Sequence, residues 1–337
     1  MEITAGGRLE VRITHADVGK RVSVRCLTGD RKAAEKFTDT VGVLTSWNAG
    51  VLLITLRTGE TVPIAESALV AGKVVPAAPA RRRGPAASFE ELAPVAARAW
   101  PPVESERLGD WLLRAASGFT RRANSVLPLG DPGLPLDEAL AHVTRWYGAR
   151  GLPAYIQTAT GAEGTQERLC AELEQRGWMR EVSAELRIAA LAPIGDLDAD
   201  ASGVRLLRVA DDAWLARYQR ARDHGASDMK AAGRKVIANG PSVWFASVPR
   251  GTGESSAAIG RCVVDGRWAG FMAVEVAPEY RRQGLASAVM AALARRALEE
   301  GASASWLQVE SDNAGARALY DGMGFATHHH YHHFRSP

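Results

Sequence analysis

The spacing of apolar and polar positions divides the chain into three segments. From about Val18 to Val75 the text is short and strand-like: "KRVSVR", "DTVGVLTSW", "GVLLITLR" and "ETVPI", with the turns "NAG" and "TG" between runs. Closely spaced strands with hairpin turns predict a small β-barrel over residues 1–78. The stretch "VPAAPARRRGPAAS" has no periodicity and reads as an exposed linker, residues 79–87. A second aperiodic stretch, "ALAPIGDLDADASG", separates a middle segment, 88–195, from a C-terminal segment, 203–337.

The C-terminal segment opens with strand "VRLLRV" and helical "DDAWLARYQRARD". Strands follow at "SVWFASV", "AAIGRCVVD" and "WAGFMAVEVAP", with "VDGRW" as the hairpin between the last two. After "PEYRRQG" the apolar residues Leu285, Val289, Ala292, Leu293 and Ala297 form the stripe of a helix packed on a sheet, and Gly301 is a suitable stop. A strand "ASWLQVE", a helix "NAGARALYDGMGF" and a strand "THHHYHHF" complete it. The predicted class is mixed α/β (α+β) and largely antiparallel, with one strand–helix–strand unit that pairs in parallel.

The middle segment reads as a faded copy of this order: strands "WLLRAA" and "RRANSVLPL", helix "LDEALAHVTRWYGARG", strand "AYIQTA", helix "TQERLCAELEQRGW" and strand "VSAELRIAA". Its ending "LEQRGW" parallels "LYDGMGF", which suggests a tandem arrangement.

Composition narrows the functional classes. A net charge of +3 over 337 residues predicts no particular partner. Arg81, Arg82 and Arg83 lack interleaved aromatic residues for base stacking, and the barrel has no cationic surplus, so nucleic acid is not an expected partner. Cys26, Cys170 and Cys262 lie far apart and suit neither a metal site nor a disulfide framework. With no apolar segment of signal-peptide or membrane-spanning type, the expectation is a cytoplasmic protein without a membrane partner.

Chemistry concentrates at "RRQGLA". The turn follows a strand and opens a helix, where the first N–H groups are unpaired and the helix dipole favours an anion. Gly284 permits close backbone approach, Ala286 removes bulk, and Arg281 and Arg282 add cations, so a pyrophosphate is the natural guest. A Walker loop and a three-glycine dinucleotide fingerprint are both absent.

The pattern R-x-x-G-x-A from Arg281 to Ala286 resembles the acyl-CoA loop of the GNAT superfamily of N-acetyltransferases. "WLQVESDNAGARALYDGMGF" resembles that family's N-x-x-A-x-x-L-Y-x-x-x-G-F stretch, at a suitable distance. The resemblance covers Val204 to about Phe334. It implies a GNAT fold and transfer of an acetyl group from acetyl-CoA, the co-substrate, to an amine of a small molecule or a protein, without a metal.

By similarity, Val274 and Val276 offer backbone groups to the pantetheine arm and acetyl carbonyl where two strands splay. Arg281, Arg282, Gln283, Gly284, Leu285, Ala286 and Ser287 bind the pyrophosphate, and Asn313 contacts the cofactor arm. Tyr320 occupies the general-acid position; a thiolate with a pKa near 8.5 and a phenol near 10 are only mildly mismatched. Some relatives that modify protein N-termini carry a glutamate where Gln308 stands, and an amide cannot act as that base. Glu275 is the preferred base, with Glu310 or ordered water as alternatives. A non-catalytic acyl-CoA-binding regulator is the alternative to an enzyme.

"THHHYHHF" places His328, His330 and His332 on one face of a strand and His329 and His333 on the other. It is read as a polar edge strand lining the acceptor cleft rather than a metal site. In the middle segment, "GDPGLP" puts Asp131, Pro132 and Pro135 where a phosphate loop would stand. An acid repels pyrophosphate and proline removes N–H donors, so one acetyl-CoA per chain is expected.

Overall fold

The computed structural model describes residues 10–27, 37–76, 84–218, 227–250 and 255–337. Arg81, Arg82 and Arg83, and the end of the helical stretch "DDAWLARYQRARD" beyond Tyr218, lie outside the described residues. The chain forms two compact units. One comprises residues 1–80 and 158–178; the other comprises 81–157 and 179–337.

In the first unit, strands β1 (Arg21–Leu27), β2 (Phe37–Asn48), β3 (Val51–Thr55), β4 (Thr61–Ala65) and β5 (Leu69–Val74) form one antiparallel sheet in the order β4-β3-β2-β1-β5. The β2–β3 hairpin turns on Ala49 and Gly50, both at positive φ. Val22, Val24, Leu44, Leu52 and Ile54 form its core. The helix Glu167–Gln175 packs on this unit, with Thr61 Oγ1 donating to Glu174 at 3.3 Å.

The expected small barrel, similar in strand pattern to a Src-homology-3-like barrel, is a five-stranded sheet that does not close among the described residues, with β4 and β5 as its edges. The outer edge of β5 is occupied instead by Val11, which bridges Gly72, and by Arg12 N–H, which donates to Gly72 O at 2.7 Å. Pro63 in β4 lacks the donor that a further ladder would need.

The second unit contains a three-stranded sheet, β6 (Glu104–Leu108), β7 (Trp111–Ala115) and β8 (Leu127–Pro128). Its larger sheet has eight strands: β9 (Tyr155–Thr160), β10 (Met179–Ala190), β11 (Arg205–Leu207), β12 (Ser242–Val248), β13 (Ala258–Asp265), β14 (Trp268–Val276), β15 (Ala304–Glu310) and β16 (Ala326–Arg335). They run in the order β11-β12-β13-β14-β15-β10-β16-β9. Strand β14 pairs with β15 in parallel, and the helix Leu285–Glu299 makes the crossover between them.

The two sequence halves are interleaved in this sheet. Strand β10, from the middle segment, lies between β15 and β16 of the C-terminal segment, antiparallel to both. Strand β16 in turn separates β10 from β9. The histidine-rich strand is therefore interior to the sheet, which corrects its reading as an edge. Neutral imidazole tolerates burial, and His329, His332 and His333 are all buried.

Helices cover both faces. Phe89–Arg98, Asp212–Arg217 and Ser227–Ala238 pack on one face, over Trp100, Phe119, Ile259 and Trp306. Leu285–Glu299 and Ala314–Gly322 pack on the other, over Cys262, Phe271 and Leu307. Ser227–Ala238 is helical because Ala232, Val236 and Ile237 supply a buried stripe. The stretch between the two segments is likewise packed, with Leu191 and Ile194 buried on the second face.

Candidate active site

The helix Leu285–Glu299 sits close on β13 because Gly260 has no side chain: a Cβ there would meet Val289 Cγ1 at 2.5 Å. This seats the turn before the helix against the end of β14. Arg282 (φ 62°) and Gly284 (φ 79°) both adopt the left-handed region. No heavy atom lies within 4 Å of where a Gly284 Cβ would stand, so the turn is an open cradle. Arg281, Arg282, Gln283 and Gly284 are exposed, and Leu285, Ala286 and Ser287 are half-buried. Ala288 N–H bonds Gly284 O, so the N–H groups of Leu285, Ala286 and Ser287 are the first-turn donors that a helix cannot satisfy itself. Arg281 Nε reaches Val276 O at 3.4 Å and Gln283 Nε2 reaches Glu279 O at 3.3 Å, which holds the turn beside the strand end.

The strands open where the resemblance requires it. Strands β14 and β15 pair from Trp268↔Ala304 to Phe271↔Leu307 and no further. The cause lies in β14: its register with β13 slips between Ile259 and Arg261, and Ala273 has φ 52°. This is a bulge, which bends and twists a strand away from its neighbour. It also shifts the alternation of faces. Phe271 packs on the loop-helix face, Met272 and Ala273 both pack on the opposite one, and Val274 and Val276 return to the loop-helix face.

Glu275, opposite Ile259, therefore faces away from the anion turn, on the sheet face of Trp306 and Leu186. Gln308 shares that face, since its neighbours Leu307 and Val309 pack on the other. Its Oε1 accepts from Arg122 Nη1 at 2.5 Å. Glu310, two residues further along β15, shares the face too.

Tyr320 lies on the loop-helix face, packed against Phe325 with ring centroids 5.8 Å apart. Burial pushes its phenol up to about 12. It stays protonated at neutral pH and can act only as a donor. Among the described residues, no hydrogen-bond partner is recorded for its hydroxyl. Asn313 caps the Tyr320 helix, its Oδ1 accepting from Ala316 N–H at 3.1 Å.

That helix is anchored from the middle segment. Arg187 on β10 is buried, and its Nη2 donates to Asp321 Oδ1 and to Phe325 O, while Nη1 donates to Arg317 O. Buried Glu185 pairs with Arg317 at 3.0 Å and accepts from Thr327 Oγ1 at 2.9 Å. Neither Arg187 nor Arg122 was expected from sequence. Both act across more than a hundred residues, and no local pattern marks such contacts.

His328, His329 and His332 of β16 are held by hydrogen bonds within the fold. His328 Nε2 bonds Ala87 O at 3.0 Å, which makes that nitrogen the donor. His328 Nδ1 and His329 Nδ1 share a hydrogen bond at 2.8 Å. His332 Nδ1 bonds Ser183 Oγ at 2.8 Å. Among the described residues, no group of three or more His, Cys, Asp or Glu side chains is arranged to hold a metal ion.

At the comparable turn of the middle segment, Asp131 Oδ1 accepts from Gly133 N–H at 2.7 Å, and Asp110 Oδ2 accepts from Asp131 N–H at 3.2 Å. The helix that follows, Leu136–Gly148, carries Asp137 and Glu138 in its first turn.

Similarity to known proteins agrees with this geometry. The chain is 28% identical over 319 residues to the "Probable histone acetyltransferase Rv0428c" of Mycobacterium tuberculosis, covering 93% of each chain. It is 25% identical over 248 residues to the "Uncharacterized N-acetyltransferase YobR" of Bacillus subtilis, covering 70% of this chain and 95% of that one. A solved tandem GNAT protein from the clavulanic acid biosynthesis pathway superposes with a TM-score of 0.53 at 13% identity, over 75% of this chain and 90% of that chain. Residues 87–334 match the family described as "Probable histone acetyltransferase Rv0428c C-terminal". The splayed strands, the open turn at Gly284 and this match over most of the chain place it in that family, and make it an N-acetyltransferase of the GNAT superfamily.

Proposed function

We propose that the enzyme transfers an acetyl group from acetyl-CoA to a primary amine of a small molecule or a protein, within residues 203–337. The observation that carries this reading is the end of β14–β15 pairing at Phe271↔Leu307 beside the open turn at Gly284. The residues fit the cofactor: cationic Arg281 and Arg282, first-turn N–H donors and space at Gly284 suit a pyrophosphate. The unpaired edges of Val274 and Val276 suit the amide-rich arm, with Asn313 at the far side of the opening.

When bound, acetyl-CoA supplies the activated acyl group. Glu275, on the opposite sheet face, takes the proton from the incoming ammonium, directly or through water; Glu310 and water are the other carriers of that step. Tyr320 donates a proton to the departing sulfur, and positioned acids of this kind contribute about 10²–10⁴ in rate. The middle segment, 88–195, supports this half through Arg187 and Arg122 and binds no cofactor of its own. Three free, buried cysteines suit a reducing cytoplasm.

The test is thiol release from acetyl-CoA across a panel of amines. Amine-dependent release that Gly284→Asp removes supports the reading. Tight acetyl-CoA binding with no amine-dependent release would favour a non-catalytic acyl-CoA sensor.

A further inference from the structure

We infer that Arg122 is a receptor for a carboxylate on the acceptor, so that the amine acetylated here belongs to an amino-acid-like molecule and not to a basic peptide. This rests on the reading of acetyl transfer at the β14–β15 opening.

The placement of Arg122 is specific. Gln308 is one residue beyond the last β14–β15 pair, on the sheet face that also carries Glu275. Arg122 reaches it from the turn Arg121–Ala123, across 2.5 Å. That turn is rigid. Buried Asn124 accepts from Ala116 and Gly118 N–H and donates to Phe119 and Thr120 O, so its whole amide is used. Thr120, a β-branched residue, is held at φ 57° with its Oγ1 accepting from Trp100 Nε1 at 3.0 Å. Strained backbone held by buried bonds is found where a side chain must be presented in one place.

The guanidinium is also short of negative charge. Its centre lies 4.9 Å from the Trp100 ring, and the one hydrogen bond recorded for it among the described residues goes to a neutral amide. Neighbouring Arg121 is neutralised by Glu181 at 3.1 Å. Arg261, 5.2 Å from the same Trp100 ring, is buried and bonded to the carbonyls of Ile237, Ala99 and Asn239. Arg114 is buried too, bonded to Ser125 and Gln157. Arg122 is thus the half-buried cation of this group with donors to spare, beside the opening. A planar guanidinium matches a carboxylate through two parallel bonds, and its aromatic support holds it oriented. An acceptor bridging the face would place its ammonium toward Glu275 and its carboxylate toward Arg122. A lysine-rich tail would instead meet a like charge.

Matched amines decide this: phenylalanine with phenethylamine, leucine with isoamylamine, and methionine with its decarboxylated amine. The wild type should favour the carboxylate member by about ten- to a hundred-fold in kcat/KM, mainly through KM, the scale of one charge-assisted contact. Arg122→Gln should collapse the ratio. Gln308→Glu should also collapse it while leaving the arginine present, because the new carboxylate occupies the guanidinium. A parallel titration measures binding of N-acetylphenylalanine against N-acetylphenethylamine, which needs no turnover. Discrimination in binding without turnover would uphold the carboxylate site and overturn the catalytic reading. Turnover with no preference, or a preference kept in both variants, overturns the Arg122 assignment. So does loss of thermal stability in Arg122→Gln with the ratio intact, which would make the residue a support for Trp100 alone.

Discussion

Arg187, buried on β10, donates a hydrogen bond to Asp321, the residue that follows Tyr320. The helix that carries Tyr320, the proposed proton donor, is therefore anchored by a strand of the middle segment. Removing Arg187 leaves the carbonyls of Arg317 and Phe325 without their donor and leaves buried Glu185, 3.5 Å from Arg187 Nε, with Arg317 as its remaining cation, at a cost of about 1–3 kcal/mol. Arg187→Met should lower stability on that scale in urea denaturation and reduce kcat, while Arg187→Met with Glu185→Gln should recover part of the stability. An unchanged kcat in a folded Arg187→Met protein would free Tyr320 from this anchor.

Much of the C-terminal half was legible because its features are local. The hairpin of "VDGRW" and the apolar stripe after Gly284 each lie within a few residues of the element they set. The interleaving of β10 and β16 was not legible, since strand order is decided by pairing between segments more than a hundred residues apart. The bulge at Ala273 escaped for a different reason: an alanine carries no mark of positive φ. The helix Phe89–Arg98 had a readable start, Ser88 with Glu91 three residues on, but Pro94 and the adjoining linker masked it.

Gly284 should tolerate alanine poorly and aspartate not at all. At φ 79° an alanine is strained by about 1 kcal/mol, though the space around it is open. Gly284→Asp adds a carboxylate facing the pyrophosphate and should abolish acetyl-CoA binding by calorimetry. Retained affinity, with an unaltered circular dichroism spectrum, would remove the turn from the cofactor site.

Tyr320→Phe should lower kcat by about ten- to a thousand-fold with little change in acetyl-CoA affinity, because a proton donor acts mainly in the transition state. The phenol is pushed up to about 12 by burial, so the neutral form persists through pH 10. The contribution of this burial to stability is full below pH 10 and is lost as pH rises toward 12. Tyrosinate absorbance that distinguishes wild type from Tyr320→Phe should appear only above about pH 11. Ionisation of this residue near pH 10 would contradict its burial. Glu275→Gln should shift the acid limb of turnover; an unaltered profile would hand the base role to Glu310 or water.

Acid should unfold the protein through β16. Burial holds His332 down at about 3, and holds His329 and His333 well below their ordinary range. Nearby His328 and His330 act on His329 in the same direction, Arg180 and His330 on His332, and Arg114, Arg121, Arg122 and His332 on His333. These depressed values give stability that is complete above about pH 6.5 and is lost as pH falls, because the unfolded chain binds protons that the folded chain refuses. His332 alone removes about 1.4 kcal/mol between pH 7.5 and 5.5, and His329 and His333 act in the same direction. Urea midpoints across that range should fall steeply, and His332→Asn should flatten the slope. A flat profile would mean these imidazoles titrate normally in the fold.

Each chain should bind one acetyl-CoA, at Gly284. The two comparable turns differ in donors and in charge. The C-terminal one offers first-turn N–H groups with no acid in that turn and with Arg281 and Arg282 exposed beside them. The middle one spends Gly133 N–H on Asp131, places Pro135 before its helix, and follows with Asp137 and Glu138. Carboxylates at a helix N-terminus already complement the dipole there, so an incoming pyrophosphate meets repulsion and fewer free donors. Losing two charge-assisted bonds, at about 1.5–3 kcal/mol each, weakens binding by about two to four orders of magnitude. Calorimetric titration should therefore give a stoichiometry near one that falls to zero in Gly284→Asp. A stoichiometry near two, or half the sites surviving that substitution, would show that the middle segment keeps a working cofactor pocket.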